Sequence, residues 1–156
     1  MEILRACKGD LPEILALQKS AYQENAVRYN DFNIPPMQQT LDELAVEMEH
    51  KIFLKAVIGD VIVGSVRGCR KDDHALIEKL IVHPDYQNQG IGKKLVLAIE
   101  NEFDTNVFRL FTGHLDDKNI SLYSKLGYVV YGEREYVSPE LSFVHMEKCN
   151  VIRHKE

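Results

Sequence analysis

Apolar positions along the chain change period several times, and each change marks an element. Glu2 to Cys7 reads as a short strand. Asp10 is a good helix N-cap with Pro12 in the first turn. Leu11, Ile14, Leu15, Leu17 and Ala21 follow at helical spacing, which predicts a helix from Asp10 to about Tyr22. The stretch QENAVRYNDFNIPPM is polar and aromatic with a double proline. It reads as a long loop or broken helix, a kind of segment that often walls a substrate site. Thr40 with Glu43 makes a capping box ahead of a helix from Leu41 to about His50.

Ile52 to Ile58 and Val61 to Cys69 are β-rich runs joined through Gly59-Asp60, a hairpin signal. His74 to Val82 is a third strand run, and simple alternation puts His74, Leu76, Glu78, Leu80 and Val82 on one face. A glycine stretch then leads into a helix reaching about Phe103. Asn106 to Gly113 is a strand, and Asp116 to Leu126 is a helix closed by Gly127. Tyr128 to Tyr136 and Leu141 to Met146 are two final strands around Ser138-Pro139. The order is βααβββαβαββ. It predicts an α/β fold with a mixed sheet of about seven strands and four helices on its faces.

Composition narrows the class. A chain of 156 residues, 45% apolar, suits one domain over residues 1–156. A net charge of -5 and a pI near 5.7 argue against a general nucleic-acid binder. Cys7, Cys69 and Cys149 form no CxxC pair, so neither a metal site nor a disulfide framework is expected. A reducing cytoplasm is the simplest setting. No apolar run approaches the roughly 18 residues of a membrane span, and the N-terminus has no signal core.

The chemistry begins at HPDYQNQGIGKKL, His83 to Leu95. A dinucleotide fold needs GxGxxG and a P-loop needs GxxxxGK[ST], and the stretch has neither. What it has is Q-N-Q-G-I-G directly after a strand ending in V-H-P. This resembles the acetyl-CoA-binding motif of the GCN5-related N-acetyltransferases (GNAT). The resemblance places the pyrophosphate against the backbone of Gln87, Asn88, Gln89, Gly90, Ile91, Gly92 and Lys93. Physics agrees, since consecutive N–H groups at a helix start bind phosphate, and glycines at 90 and 92 let it approach. Lys93 and Lys94 add charge toward the ADP end.

A second motif supports the first. Asn119, Tyr123, Lys125, Gly127 and Tyr128 fit N-x-x-x-Y-x-K-x-G-[FY]. On a helix Asn119 and Tyr123 are i and i+4, so they share a face and can line one channel. In the family the asparagine bonds the pantetheine arm and the tyrosine faces the thioester sulfur. The resemblance therefore implies a GNAT fold and an N-acetyltransferase moving an acetyl group from acetyl-CoA to a primary amine of a small molecule, peptide or protein. It makes Tyr123 the general acid toward the thiolate. The strand Leu80, Ile81 and Val82 would bind the cofactor through its main chain.

Glu78 is the first candidate for the base, as an acid among apolar neighbours with a raised pKa; His114 is the second, and bulk water is a third route. His74 and His83 read as surface and structural histidines. No metal is called for. Acceptor walls are expected from Tyr22 to Met37, from the hairpin tip and from Val137 to Leu141. Tyr22, Tyr29 and Phe32 with Glu24 and Asp31 suit a cationic amine. The resemblance allows a homodimer. A sensor domain that binds acyl-CoA without turnover remains the alternative, separated by whether amines release free thiol from acetyl-CoA.

Overall fold

The computed structural model describes residues 1–150; residues 151–156, the end of the expected single domain, lie outside the described residues. Strand β1 (Glu2–Arg5) is followed by helices α1 (Leu11–Arg28), α2 (Pro35–Gln38) and α3 (Leu41–Met48). Strands β2 (Ile52–Ile58), β3 (Val61–Arg70) and β4 (Ala75–Val82) lead to α4 (Ile91–Glu100). Then come β5 (Val107–Gly113), α5 (Asp117–Lys125), β6 (Val129–Val130), β7 (Glu135–Tyr136) and β8 (Ser142–Cys149). They form one mixed sheet in the order β1-β2-β3-β4-β5-β8-β6, with β7 also paired to β8. This is the expected α/β architecture. The sheet has eight strands because the run expected from Tyr128 to Tyr136 breaks at Gly132, whose φ is 65°.

Local signals explain the element ends. Thr40 and Glu43 make the reciprocal capping box of α3, at 3.2 and 2.9 Å. Gly59 turns the β2–β3 hairpin with φ 60°, and Gly127 ends α5 with φ 100°. Helix α1 runs one and a half turns past the expected Tyr22. Gln23–Arg28 carries no breaker, and Ala26 is sealed in the interior while Tyr29 is nearly so. The double proline starts a short helix of its own, α2.

Helices cover both faces of the sheet. Leu95, Val96 and Ile99 of α4 and Tyr123 of α5 pack with Val66, Ile77 and Phe108. On the other face Leu11, Ile14 and Leu17 of α1 and Leu44 of α3 pack with Phe53, Ile62 and Ile81.

Two irregularities in the sheet place the site. First, β4 and β5 pair in parallel only at Ala75 with Phe108 and Leu76 with Arg109. Beyond that point the two strands have no shared ladder, and one edge of β4 is unpaired. Second, β4 is bulged. Its register against β3 runs from Ser65–Ile81 to Arg67–Glu78, with Lys79 in the left-handed region at φ 54°. The bulge inverts the alternation. Ile77 packs toward α4, yet so do Leu80 and Val82, while Ile81 packs toward α1. Simple alternation is therefore corrected here: Glu78 does not share a face with Leu80 and Val82.

Candidate functional site

The gap between β4 and β5 opens a cleft of about 450 Å³. Its walls come from the end of β4, the loop into α4, the face of α5, the end of β5 and the second half of α1. Of the residues singled out from sequence, Glu78, Leu80, Ile81, Val82, Gln87, Asn88, Gly90, Ile91, Gly92, Lys93, Asn119 and Tyr123 all line it. Of Gln87 to Lys93, Gln89 alone does not.

The loop before α4 is built to present main-chain N–H groups. His83 donates its N–H to Val63 at 2.8 Å, and its ring Nδ1 accepts from the Asp85 N–H at 3.1 Å. Gln87 donates to the Val82 carbonyl at 3.3 Å. Asn88 and Gly90 have φ of 64° and 82°, which curls the chain into a concave turn ahead of the helix. The first N–H groups of α4, from Gly90 to Lys93, have no acceptor within the helix. A Cβ built on Gly90 meets nothing within 4 Å, so its glycine serves the left-handed turn and leaves the cradle open. Gly92 has a different reason: a Cβ there lies 3.3 Å from Leu122, so it lets α4 pack against α5. Lys93 and Lys118 bring positive charge to the same cleft, whereas Lys94 does not line it. An anion of the pyrophosphate kind fits this donor set.

On α5, Asn119 and Tyr123 both face the cleft and Lys125 does not. Tyr123 is only 5% exposed, and its ring lies edge-on to Tyr128 with centroids 5.9 Å apart. Its hydroxyl has no hydrogen-bond partner among the described residues. Burial raises its pKa above the usual tyrosine range, with the nearby Tyr22 and Asp116 adding to the effect. It is thus held as a neutral O–H donor. Tyr22 also lines the cleft, and burial pushes its pKa up to about 12.

Asp116, absent from the sequence expectations, is the best-connected carboxylate in the cleft. It is 6% exposed and bonded to Arg28, to Thr112 at 3.3 Å and to Asn25 at 3.4 Å. Burial raises its pKa despite Arg28. A D-D-K-N run at a helix start reads as capping, which is why this residue escaped notice. Tyr29 is structural: its hydroxyl accepts from the Leu115 N–H at 2.9 Å and rests on Gly113.

Glu78 lines the cleft, but its neighbours are charged and not apolar. Its carboxylate accepts from Lys51 at 2.9 Å, and Lys51 also bonds Glu47 at 3.0 Å. The His114 ring packs tilted against Tyr29 and accepts from the Ser142 N–H, and it does not line the cleft; nor do His74 and His83. The side of the cleft formed by α1 and α2 is walled by Tyr22, Glu24, Asn25, Arg28, Pro35 and Pro36. Phe32, Asp31, the hairpin tip and Val137 to Leu141 stand away from it. Among the described residues no group of three His, Cys, Asp or Glu could hold a metal ion, and no helix is long and apolar enough to cross a membrane.

Comparison with known proteins bears on this arrangement. The family model described as "Acetyltransferase (GNAT) family" matches residues 11–128. The uncharacterized N-acetyltransferase YjcF of Bacillus subtilis (strain 168) is 25% identical over 132 residues, covering 85% of this chain and 91% of its own. The PaiA N-acetyltransferase of Thermoplasma acidophilum, solved in complex with coenzyme A, superposes with a TM-score of 0.77 at 19% identity, over 95% of this chain and 98% of that one. YncA of Salmonella typhimurium, solved with acetyl-CoA as its cofactor, superposes with a TM-score of 0.72 at 19% identity, over 100% of this chain and 97% of that one.

Proposed function

The chain belongs to the acetyltransferase (GNAT) family, and from that premise we propose that it transfers an acetyl group from acetyl-CoA to a primary amine, with Tyr123 as the general acid. The observation that carries the reading is the single cleft. It brings the open N–H cradle before α4, the unpaired edge of β4 and the Asn119–Tyr123 face of α5 together.

Acetyl-CoA supplies an activated acetyl thioester. The residues divide the remaining work. The cradle from Gln87 to Lys93 binds the pyrophosphate, with Lys93 and Lys118 balancing its charge. Leu80 to Val82 offer main-chain groups on an edge that β5 leaves free, and a pantetheine amide can bond there as an added strand would. A backbone N–H on that edge polarises the acetyl carbonyl. Asn119 bonds the pantetheine arm. Tyr123, kept protonated by burial, donates its proton to the departing sulfur. The amine loses its proton to Glu78, directly or through water; Lys51 fixes that carboxylate at the acceptor side. The acceptor itself approaches between α1, α2 and the β4 bulge.

The direct test is a panel of primary amines incubated with acetyl-CoA. Free thiol is followed, and products are weighed by mass spectrometry. Amine-dependent thiol with acetylated product is the expected result. Acetyl-CoA binding without amine-dependent thiol would make the chain a sensor.

A further inference from the structure

Beside the cleft lies a second cavity of about 370 Å³, and the two share a wall of Pro35, Glu78 and Lys79. Lys79 is the bulged residue of β4. It holds a left-handed φ of 54° that lysine disfavours, and its half-buried side chain borders both spaces. Strain and a desolvated charge coincide at one residue, which is the pattern of a functional position.

The surrounding charges are all spoken for. Arg67, 1% exposed, bonds Glu47 at 3.0 Å and Gln18. Lys51 bridges Glu47 and Glu78 at 3.0 and 2.9 Å. Lys79 has no hydrogen-bond or ion-pair partner among the described residues. The half-buried group thus holds three cations, Arg67, Lys51 and Lys79, against two carboxylates, Glu47 and Glu78. One positive charge is in excess. Glu43 also borders the second cavity, but it is exposed and accepts from the Thr40 N–H at 2.9 Å, so solvent screens it. Burial lowers the Lys79 pKa, and Arg67 and Lys51 offset the help that Glu78 and Glu47 give its charged form.

We propose that the acetyl acceptor carries a carboxylate as well as its amine, and that Lys79 binds that carboxylate where the cleft meets the second cavity. The inference rests on the transferase reading and specifies its acceptor as an aminocarboxylate. The excess is a single charge, so a monoanion balances it. A phosphate dianion would overshoot and face Glu47 and Glu78. With its carboxylate on Lys79, the acceptor has its amine directed into the cleft that holds Tyr123.

The test uses ω-amino acids of graded chain length, each paired with its carboxamide. Rates with acetyl-CoA are compared per neutral amine, because the two members differ in basicity. The parent should favour the carboxylate member of at least one pair by roughly tenfold or more in kcat/KM. Lys79→Asn suits a left-handed backbone and removes the charge, and it should bring that ratio near one, chiefly through KM. Lys79→Arg should keep much of the preference. Acetyl-CoA affinity reports whether each variant is folded. Calorimetry of the same amino acids with coenzyme A-saturated protein supplies a readout free of turnover. Binding should appear in the parent and vanish in Lys79→Asn. The proposal falls if the parent binds no carboxylate, if carboxamides or aminoalkylphosphonates are preferred, or if Lys79→Asn keeps the preference. Lys79-dependent binding with no acetyl transfer would uphold this site and sink the transferase reading instead.

Discussion

Single residues carry different loads in this cleft. Gly113 is the tightest: a Cβ there would lie 2.1 Å from the Tyr29 hydroxyl. Gly113→Ala should expel that hydroxyl, strand the Leu115 N–H and cost about 1–3 kcal/mol in urea unfolding. An unchanged midpoint would show that Tyr29 is not the prop described. The two motif glycines should fail differently. Gly90→Ala meets no neighbour, so it should cost only the left-handed strain, about 1–2 kcal/mol. Gly92→Val collides with Leu122 and should shift α5, weakening coenzyme A binding through Asn119. Calorimetry with coenzyme A checks both, and equal affinity in the Gly92 variant would contradict the α4–α5 contact. That Gly90, Gly92, Asn119 and Tyr123 would meet at one cleft was legible from sequence, because their spacing sets them there. Asp116 and Lys79 were not. A capping aspartate and a strand lysine look ordinary until tertiary contacts or a bulge give them a setting.

Among the elements, α5 is the most readable and β4 the least. Helical spacing alone set Asn119 and Tyr123 on the cleft and Lys125 off it. Asn119→Ala should weaken coenzyme A binding by about 0.5–1.5 kcal/mol, and Lys125→Ala by less. The reverse order would mean that the cofactor meets another side of α5. Strand β4 shows why alternation misleads. One extra residue turns Leu80 and Val82 to the face that Ile77 occupies and leaves Glu78 among charges. A bulge has no composition of its own, so a period-two reading passes straight through it. The end of α1 was hidden for a related reason. Gln23 to Arg28 is too polar to show an apolar stripe, and it is held by the burial of Ala26 and by the bonds of Asn25 and Arg28 to Asp116.

At the scale of the molecule, the sheet is tied to α3 by the half-buried Arg67–Glu47–Lys51–Glu78 network, which Gln18 of α1 joins at Arg67. Burial works against the charge on Glu47, but Arg67, Gln39 and Lys51 outweigh it and hold its carboxyl below the usual range. A carboxyl lowered on folding stabilises above its unfolded pKa, near 4.3, and loses that contribution as pH falls through the folded value. Stability should therefore drop on acidification below about pH 4, and Glu47→Gln should blunt that drop while lowering stability at neutral pH. A Glu47→Gln variant with the parent's pH profile would show that the network does not set it. Strands β4 and β5 part beyond Leu76 and Arg109, and the cleft between them is where we place the transfer. Its most direct test is Tyr123→Phe, which keeps the buried ring and removes the hydroxyl alone. Steady-state kinetics with an accepted amine should show kcat reduced by about 10²–10⁴, with acetyl-CoA affinity within a few-fold of the parent. Full turnover in Tyr123→Phe would contradict the assignment of Tyr123 as the acid.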